Sequence, residues 1–171
     1  MKRILPIVSI GLLFACSTTH SSVGDAANAK AEFEWMSTLT GEWTGTAESG
    51  DKKFPVDTTF RLTGNNSAIE EKIFPGTEHE MVSMYHLDGG QLMHTHYCAL
   101  GNQPRMIARP SETKGSIQFD FHDATNLASM KADHMHDMRL QIVDPNHLEM
   151  WWTAWKDGKA DHAAHFVLAR K

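Results

Sequence analysis

The stretch Leu39-Thr40-Gly41-Glu42-Trp43-Thr44-Gly45 decides how this chain folds. It opens a long series of short segments in which apolar and polar residues alternate. Gly41 lets the backbone pass close to neighbouring chain, where a Cβ atom would clash. Trp43 supplies a large flat side chain whose ring N–H still needs a hydrogen-bond partner. The stretch therefore predicts a first strand that lies at the floor of a β structure.

Turn signals follow this strand at intervals of about eight to twelve residues, a spacing that is typical of an all-β meander. The clearest of them are Gly64-Asn65-Asn66, Pro75-Gly76, Asp88-Gly89-Gly90 and Asp157-Gly158-Lys159. No segment is long enough to be a helical crossover between parallel strands. The sequence predicts an all-β fold, an antiparallel up-and-down barrel of about ten strands, because closure removes exposed sheet edges. A short helix over Glu32–Leu39 precedes it, and a β-sandwich is the alternative.

The first residues have the pattern of an export signal. Met1-Lys2-Arg3 is basic, and Ile4–Phe14 is an apolar run that is too short to span a bilayer. Leu13-Phe14-Ala15-Cys16 resembles a bacterial lipobox, which implies cleavage before Cys16 and the attachment of acyl chains to it. Ser17 after the cysteine resembles the pattern of lipoproteins that are sent to the outer membrane. An ordinary secretory signal is the alternative.

These features divide the chain into three parts. Residues 1–15 are the predicted signal peptide, 16–31 a lipidated cysteine with a flexible tether, and 32–171 one barrel domain. The tether is predicted from its Ser, Thr, Ala and Gly content. The expected location is the cell envelope, with a lipid anchor in the outer membrane and the domain facing the periplasm. The net charge of -5 argues against a nucleic-acid partner, which requires a basic surface.

Several phrases together resemble a family of bacterial calycin-like barrels, relatives of the lipocalins and fatty-acid-binding proteins. Besides the Gly-x-Trp start, these phrases are Tyr85-His86-Leu87-Asp88-Gly89, the segment from His96 to Met106, His134-Met135-His136, and the ending from His165 to Arg170. The resemblance implies a barrel with an internal cavity, and it implies no established activity. A more distant similarity is to haem-binding nitrobindin-type barrels. Those carry a haem-ligating histidine on the last strand, near the positions of His162 and His165.

Histidine is unusually frequent, with eleven in the chain. Because residues i and i+2 of a strand share a face, His94, His96 and Cys98 lie together, as do His134 and His136. Apolar residues continue both faces, so we expect both to look into the barrel. Neutral imidazole and thiolate are good ligands for zinc and copper. His96, Cys98, His134 and His136 are therefore the predicted ligands of a metal or haem site.

The leading functional hypothesis is a barrel that binds a small, mostly apolar molecule by burial, with a few polar groups that fix its orientation. Arg105, in a polar loop, offers a bidentate fork for a carboxylate at the barrel mouth. Alternation places Trp151 on one face of its strand and Trp152 on the other, so that one of them lines the interior. The predicted ligand-contacting residues are Trp43, Tyr85, His96, Cys98, Arg105, His134, His136 and Trp151. The histidines expected on the outer surface are His79, His147 and His162.

Three other hypotheses stay open. One is the metal- or haem-binding barrel, whose cofactor the sequence does not identify. Another is a non-catalytic structural or interaction protein of the envelope. The last is an enzyme that uses Cys98 beside His96, although the sequence offers no orienting third group and no oxyanion donor for such a pair. It also contains no Gly-x-Ser-x-Gly elbow and no P-loop.

Overall fold

The computed structural model describes residues 23–109, 111 and 113–171. In this part of the chain, one helix precedes ten antiparallel strands. Each strand pairs with the next, and the last pairs with the first, so that the sheet closes into a barrel. The predicted all-β barrel of ten strands with an N-terminal helix is confirmed. The elements are α1 (Val23–Ser37), β1 (Gly41–Ser49), β2 (Lys52–Thr63), β3 (Ala68–Ile73), β4 (Met81–Asp88), β5 (Gln91–Tyr97), β6 (Gln103–Arg109), β7 (Ser116–Thr125), β8 (His134–Asp144), β9 (His147–Lys156) and β10 (Lys159–Arg170).

The N-terminal helix begins earlier than the sequence predicted. It starts at Val23 rather than Glu32, so the last nine residues of the predicted tether, 23–31, are helical. Four alanines in this segment give it high helix propensity, and Ala29 is buried against the core. The segment therefore belongs to the folded domain. The predicted signal peptide and Cys16 lie outside the described residues. Within the part of the chain that the structure describes, no helix is long and apolar enough to cross a membrane.

The end of α1 and the start of β1 close one end of the barrel. Trp43 is fully buried there, and its Nε1–H donates to the carbonyl oxygen of Leu39 at 2.8 Å. The guanidinium of Arg170 lies over the indole ring, 4.3 Å from the ring centroid, and donates to the carbonyl oxygen of Thr40. Gly41 has a φ of +135°, which residues with a side chain rarely adopt, and a Cβ there would lie 2.9 Å from Nη1 at the flexible end of Arg170.

Candidate functional site

A cavity of about 610 Å³ lies at the end of the barrel opposite α1. Ser49 at the end of β1, Met81 at the start of β4 and Trp152 in β9 contribute to its wall, which is mainly apolar. Ten strands give a barrel wide enough to keep such a space, whereas a barrel of about eight is either filled by its own side chains or holds one small ligand. The residues that line the cavity are Ser49, Phe54, Pro55, Phe74, Thr77, His79, Met81, His96, Cys98, Ala99, Met135, Trp152, His162, Ala164 and Phe166.

Three polar residues on neighbouring strands form a row across the inside of the barrel at the inner end of this cavity. Glu71 of β3 pairs with Ser83 of β4, and Ser83 pairs with His96 of β5, so the three side chains share the inward face. All three are buried. Oγ of Ser83 lies 3.0 Å from Nδ1 of His96. We call Glu71, Ser83 and His96 the polar row.

Glu71 is a fully buried carboxyl group that is held by hydroxyl groups. The O–H of Tyr85 donates to Oε2 of Glu71 at 2.6 Å, and Oγ1 of Thr58 lies 3.4 Å from Oε1. Burial raises the pKa of Glu71 to about 7, and the hydrogen bond from Tyr85 opposes that rise together with the nearby hydroxyl groups of Thr58 and Ser83. Glu71 therefore changes its charge near neutral pH. Tyr85 lies below the cavity, where it donates to Glu71, and it does not line the cavity. Its predicted contact with a ligand stays a prediction.

Two neutral imidazoles complete the inner end of the cavity. Burial lowers the pKa of His94 well below its usual range, with nearby His96 as the smaller cause, and burial lowers the pKa of His96 to about 4. The ring of His94 stacks on Tyr85 with centroids 4.5 Å apart, and neither of its nitrogens finds a hydrogen-bond partner among the described residues. The His96 ring lies 4.8 Å from that of Trp152. Both histidines are thus uncharged at neutral pH.

Cys98 lines the same cavity, one step nearer the mouth than His96. The predicted shared face of His94, His96 and Cys98 is confirmed. Burial raises the pKa of the Cys98 thiol, and hydrogen bonds from backbone groups only partly offset this. A thiol with a raised pKa is a weak nucleophile, since the thiolate is the reactive form. The position of Cys98 suits a wall residue better than a catalytic one.

His134 and His136 form a cluster of aromatic rings that does not line the cavity. The ring of His136 stacks between Phe121 at 4.7 Å and Trp155 at 3.6 Å, measured between centroids. Nε2 of His134 lies 3.0 Å from Nδ1 of His136. The two imidazoles therefore contact each other and the surrounding rings, and the structure places both away from the cavity. Their predicted contact with a ligand stays a prediction.

A β-bulge explains this departure from simple alternation. The pairing of β8 with β9 shifts between Met135 and Asp137, and the side chain of Met135 lines the cavity instead of its histidine neighbours. The predicted metal site would need that pair beside His96 and Cys98. No group of three or more His, Cys, Asp or Glu side chains in the described part of the chain is arranged to hold a metal ion. The four-residue site is not formed.

Three further predicted contacts lie away from the cavity. Trp43 is part of the closed end. Arg105 forms a bidentate ion pair with Asp123 on the outside of the barrel, which leaves no free fork for a carboxylate. Trp151 is stacked between the His165 ring, at 4.6 Å, and the guanidinium of Arg139, at 3.9 Å. None of these three side chains lines the cavity, and each packs against other parts of the barrel.

Two histidines that were expected on the outer surface lie at the mouth of the cavity. His79 and His162 are exposed to solvent and also line the opening. Nδ1 of His162 lies 2.9 Å from a carboxylate oxygen of Asp161. His165, by contrast, faces outwards and lies 2.7 Å from Glu149. Of the two histidines near the position of the nitrobindin-type haem ligand, His162 is the one that adjoins the cavity.

Sequence reasoning missed Glu71, Ser83 and Trp152 as site residues. A signal for Glu71 was present in the sequence. Ile69, Glu71 and Ile73 are two residues apart and share one face of β3, so the carboxyl group must be buried between two isoleucines. Trp152 was one of two options that alternation left open. Ser83 carries no signal of its own, since its role depends on the pairing of β3, β4 and β5.

Comparison with known proteins supports the fold but does not indicate a function. No protein-family model matches the chain, and no curated protein matches it in sequence. The structure resembles that of Rv2717c from M. tuberculosis, with a TM-score of 0.59 and 16% identity over 81% of this chain and 96% of that one. It also resembles a DUF3598-family protein of unknown function from Nostoc punctiforme, with a TM-score of 0.57 and 12% identity over 80% of this chain. The match covers 48% of that protein, so the chain spans about half its length. At these identities the likeness shows a shared fold, which fits the expected calycin-like barrel.

Proposed function

We propose that this protein binds a small, mostly apolar molecule inside its barrel. The observation that carries the proposal is the cavity of about 610 Å³ at the open end. Phe54, Phe74, Met81, Trp152 and Phe166 all contribute to its wall. Apolar cavities of this size with few polar groups are typical of small-molecule sites, and burial of apolar ligand surface supplies the binding free energy.

Filling the cavity tests this proposal. Ala164 lines the cavity, whereas its neighbour Ala163 is exposed on the outer face of the same strand. We expect Ala164→Trp to weaken binding of the uncharged probe N-phenylnaphthylamine at least about tenfold, because the indole occupies the ligand's space. Ala163→Trp, the matched control, keeps wild-type binding. Fluorescence titration measures both, with thermal unfolding to verify that each variant is folded.

Equal binding by the two variants would contradict the proposal, because the probe would then be bound elsewhere on the surface. The absence of saturable binding by the wild-type protein would favour the alternative of a structural or interaction protein. In that case the barrel interior is only part of the core.

We also propose that the domain is attached to the cell envelope through acylated Cys16, with the outer membrane as its location. The support is the lipobox-like stretch before Cys16 and the short distance in sequence to Val23, where α1 begins. We expect Cys16→Ala to move the protein from the detergent phase to the aqueous phase in a phase-partition assay of whole cells. Cys98→Ala is the matched control, and we expect it to stay in the detergent phase. An unchanged partition of Cys16→Ala would contradict the anchor.

A further inference from the structure

The hydrogen bonds of the polar row determine what the cavity offers a ligand at its inner end. His96 is the polar-row residue that lines the cavity. Its Nδ1 contacts Ser83, and Nε2 makes no hydrogen bond with the residues that the structure describes. Because burial keeps this ring uncharged, one of its nitrogens carries a proton and the other a lone pair.

Ser83 and Glu71, the other two residues of the polar row, determine which nitrogen of His96 carries the proton. Ser83 has one O–H to donate, and Glu71 lies beside it across the β3–β4 pair. A Ser83 hydroxyl turned toward Glu71 stabilises the carboxylate form of Glu71, because a carboxylate is the stronger acceptor. When Ser83 donates to Glu71, its oxygen accepts from Nδ1–H of His96. The lone pair is then on Nε2. Tyr85 and Thr58 also face Glu71, and both remain uncharged hydroxyl groups, so they do not compete for the Nδ1 proton.

We propose that Nε2 of His96 presents a lone pair to the cavity and accepts a hydrogen bond from a hydroxyl group on an otherwise apolar, uncharged ligand. This rests on the proposed function. A long-chain alcohol has the chemistry that fits such a site.

The charges around the cavity exclude an anionic head at the inner end. None of the residues that line the cavity is Lys or Arg, and Glu71 lies two strands from His96 in the polar row. Burying a carboxylate without a cationic partner is unfavourable. His79 and His162 lie only at the mouth. The site therefore differs from one built around an arginine for a fatty-acid carboxylate.

The tautomer of His96 tests the inference without a ligand. Proton–nitrogen correlation spectra of the imidazole rings at about pH 8.5, where Glu71 is ionised, distinguish the Nδ1–H from the Nε2–H form. The His96 signals are assigned from their loss in His96→Leu. We expect the Nδ1–H form in the wild-type protein and a shift toward Nε2–H in Ser83→Ala. An Nε2–H form in the wild-type protein overturns the inference.

Ligand isomers test the predicted hydroxyl contact. The isomers n-decanol and methyl nonyl ether have the same atoms, but only the alcohol can donate. We expect the ratio of their affinities to change about tenfold against the alcohol in His96→Leu and several-fold in Ser83→Ala, as loss of one hydrogen bond predicts. Measuring the ratio within each variant removes differences in hydration. An unchanged ratio overturns the inference but leaves the proposed function intact, whereas no saturable binding of either isomer overturns both.

Discussion

Replacing Gly45 by alanine is expected to lower the free energy of unfolding by about 3 kcal/mol or more. Gly45 lies in β1 opposite Leu168 of β10, at the seam where the last strand closes the barrel. A Cβ there would overlap the carbonyl oxygen of Val167 and lie 3.0 Å from Cα of Leu168. Both are backbone atoms, so relief requires the two strands to separate. Urea unfolding followed by far-UV circular dichroism measures the loss.

Gly89→Ala is the control for this substitution. Gly89 also becomes alanine, but no atom lies within 4 Å of its Cβ position. Its φ of +55° is left-handed, which costs a residue with a side chain about 1–2 kcal/mol. We expect Gly45→Ala to lower the free energy of unfolding clearly more than Gly89→Ala does. Equal losses would show that the seam tolerates a methyl group.

The second large effect is a pH-dependent gain in stability on replacing Glu71 by glutamine. The folded protein raises the pKa of Glu71 from 4.5 to about 7, so between these values it binds more protons than the unfolded chain. The stability of the wild-type protein therefore falls as pH rises through this window, by about 3 kcal/mol from this group. Glutamine has no charge to bury. We expect the difference in unfolding free energy, Glu71→Gln minus wild type, to rise by that amount from about pH 4.5 to 7.5.

The neighbouring Glu70 supplies the control. It lies on the outer face of β3 and pairs with Arg61, whose hydrogen bond lowers the pKa of Glu70. Its stabilising effect is lost only as pH falls below the usual carboxyl range, so the difference for Glu70→Gln does not rise between about pH 5 and 7.5. His96 acts in the opposite direction to Glu71, because its lowered pKa removes stability as pH falls from 6.5 toward about 4. Because His96 is present in both the wild-type protein and Glu71→Gln, its contribution largely cancels in the difference between their unfolding free energies. Parallel curves for the two glutamine variants would contradict the burial of Glu71.

The barrel could be predicted from the sequence because its signals are local. Turn residues such as Asp88-Gly89-Gly90 and the alternation along each strand specify hairpins, and consecutive hairpins close most simply into one sheet. The position of the Gly-x-Trp start at the floor of the barrel was also predictable, because Trp43 finds its hydrogen-bond partner, Leu39, only four residues away. The contribution of Arg170 to the closed end was not predictable in this way, because it contacts Trp43 from the other end of the chain.

The candidate site was predicted less well because its geometry depends on strand register. Alternation correctly placed His96 and Cys98 on one inward face of β5. The same argument failed for His134 and His136, because a bulge in β8 shifts the strand by one residue and brings Met135 to the cavity. A bulge leaves no clear mark in sequence. The polar row likewise exists only through the pairing of three strands, which no single segment encodes.

The most direct test of the central claim, that the barrel holds a ligand, is a comparison of native and denaturing mass spectra. The chain from residue 17 onward is incubated with a total lipid extract, alongside Ala164→Trp and Ala163→Trp. We predict one small molecule per chain on the wild-type protein and on Ala163→Trp, absent from Ala164→Trp and lost on denaturation. Its mass distinguishes an uncharged lipid from a metal ion or a haem. A bare polypeptide in all three samples, or the same adduct on all three, would contradict a ligand site in this cavity.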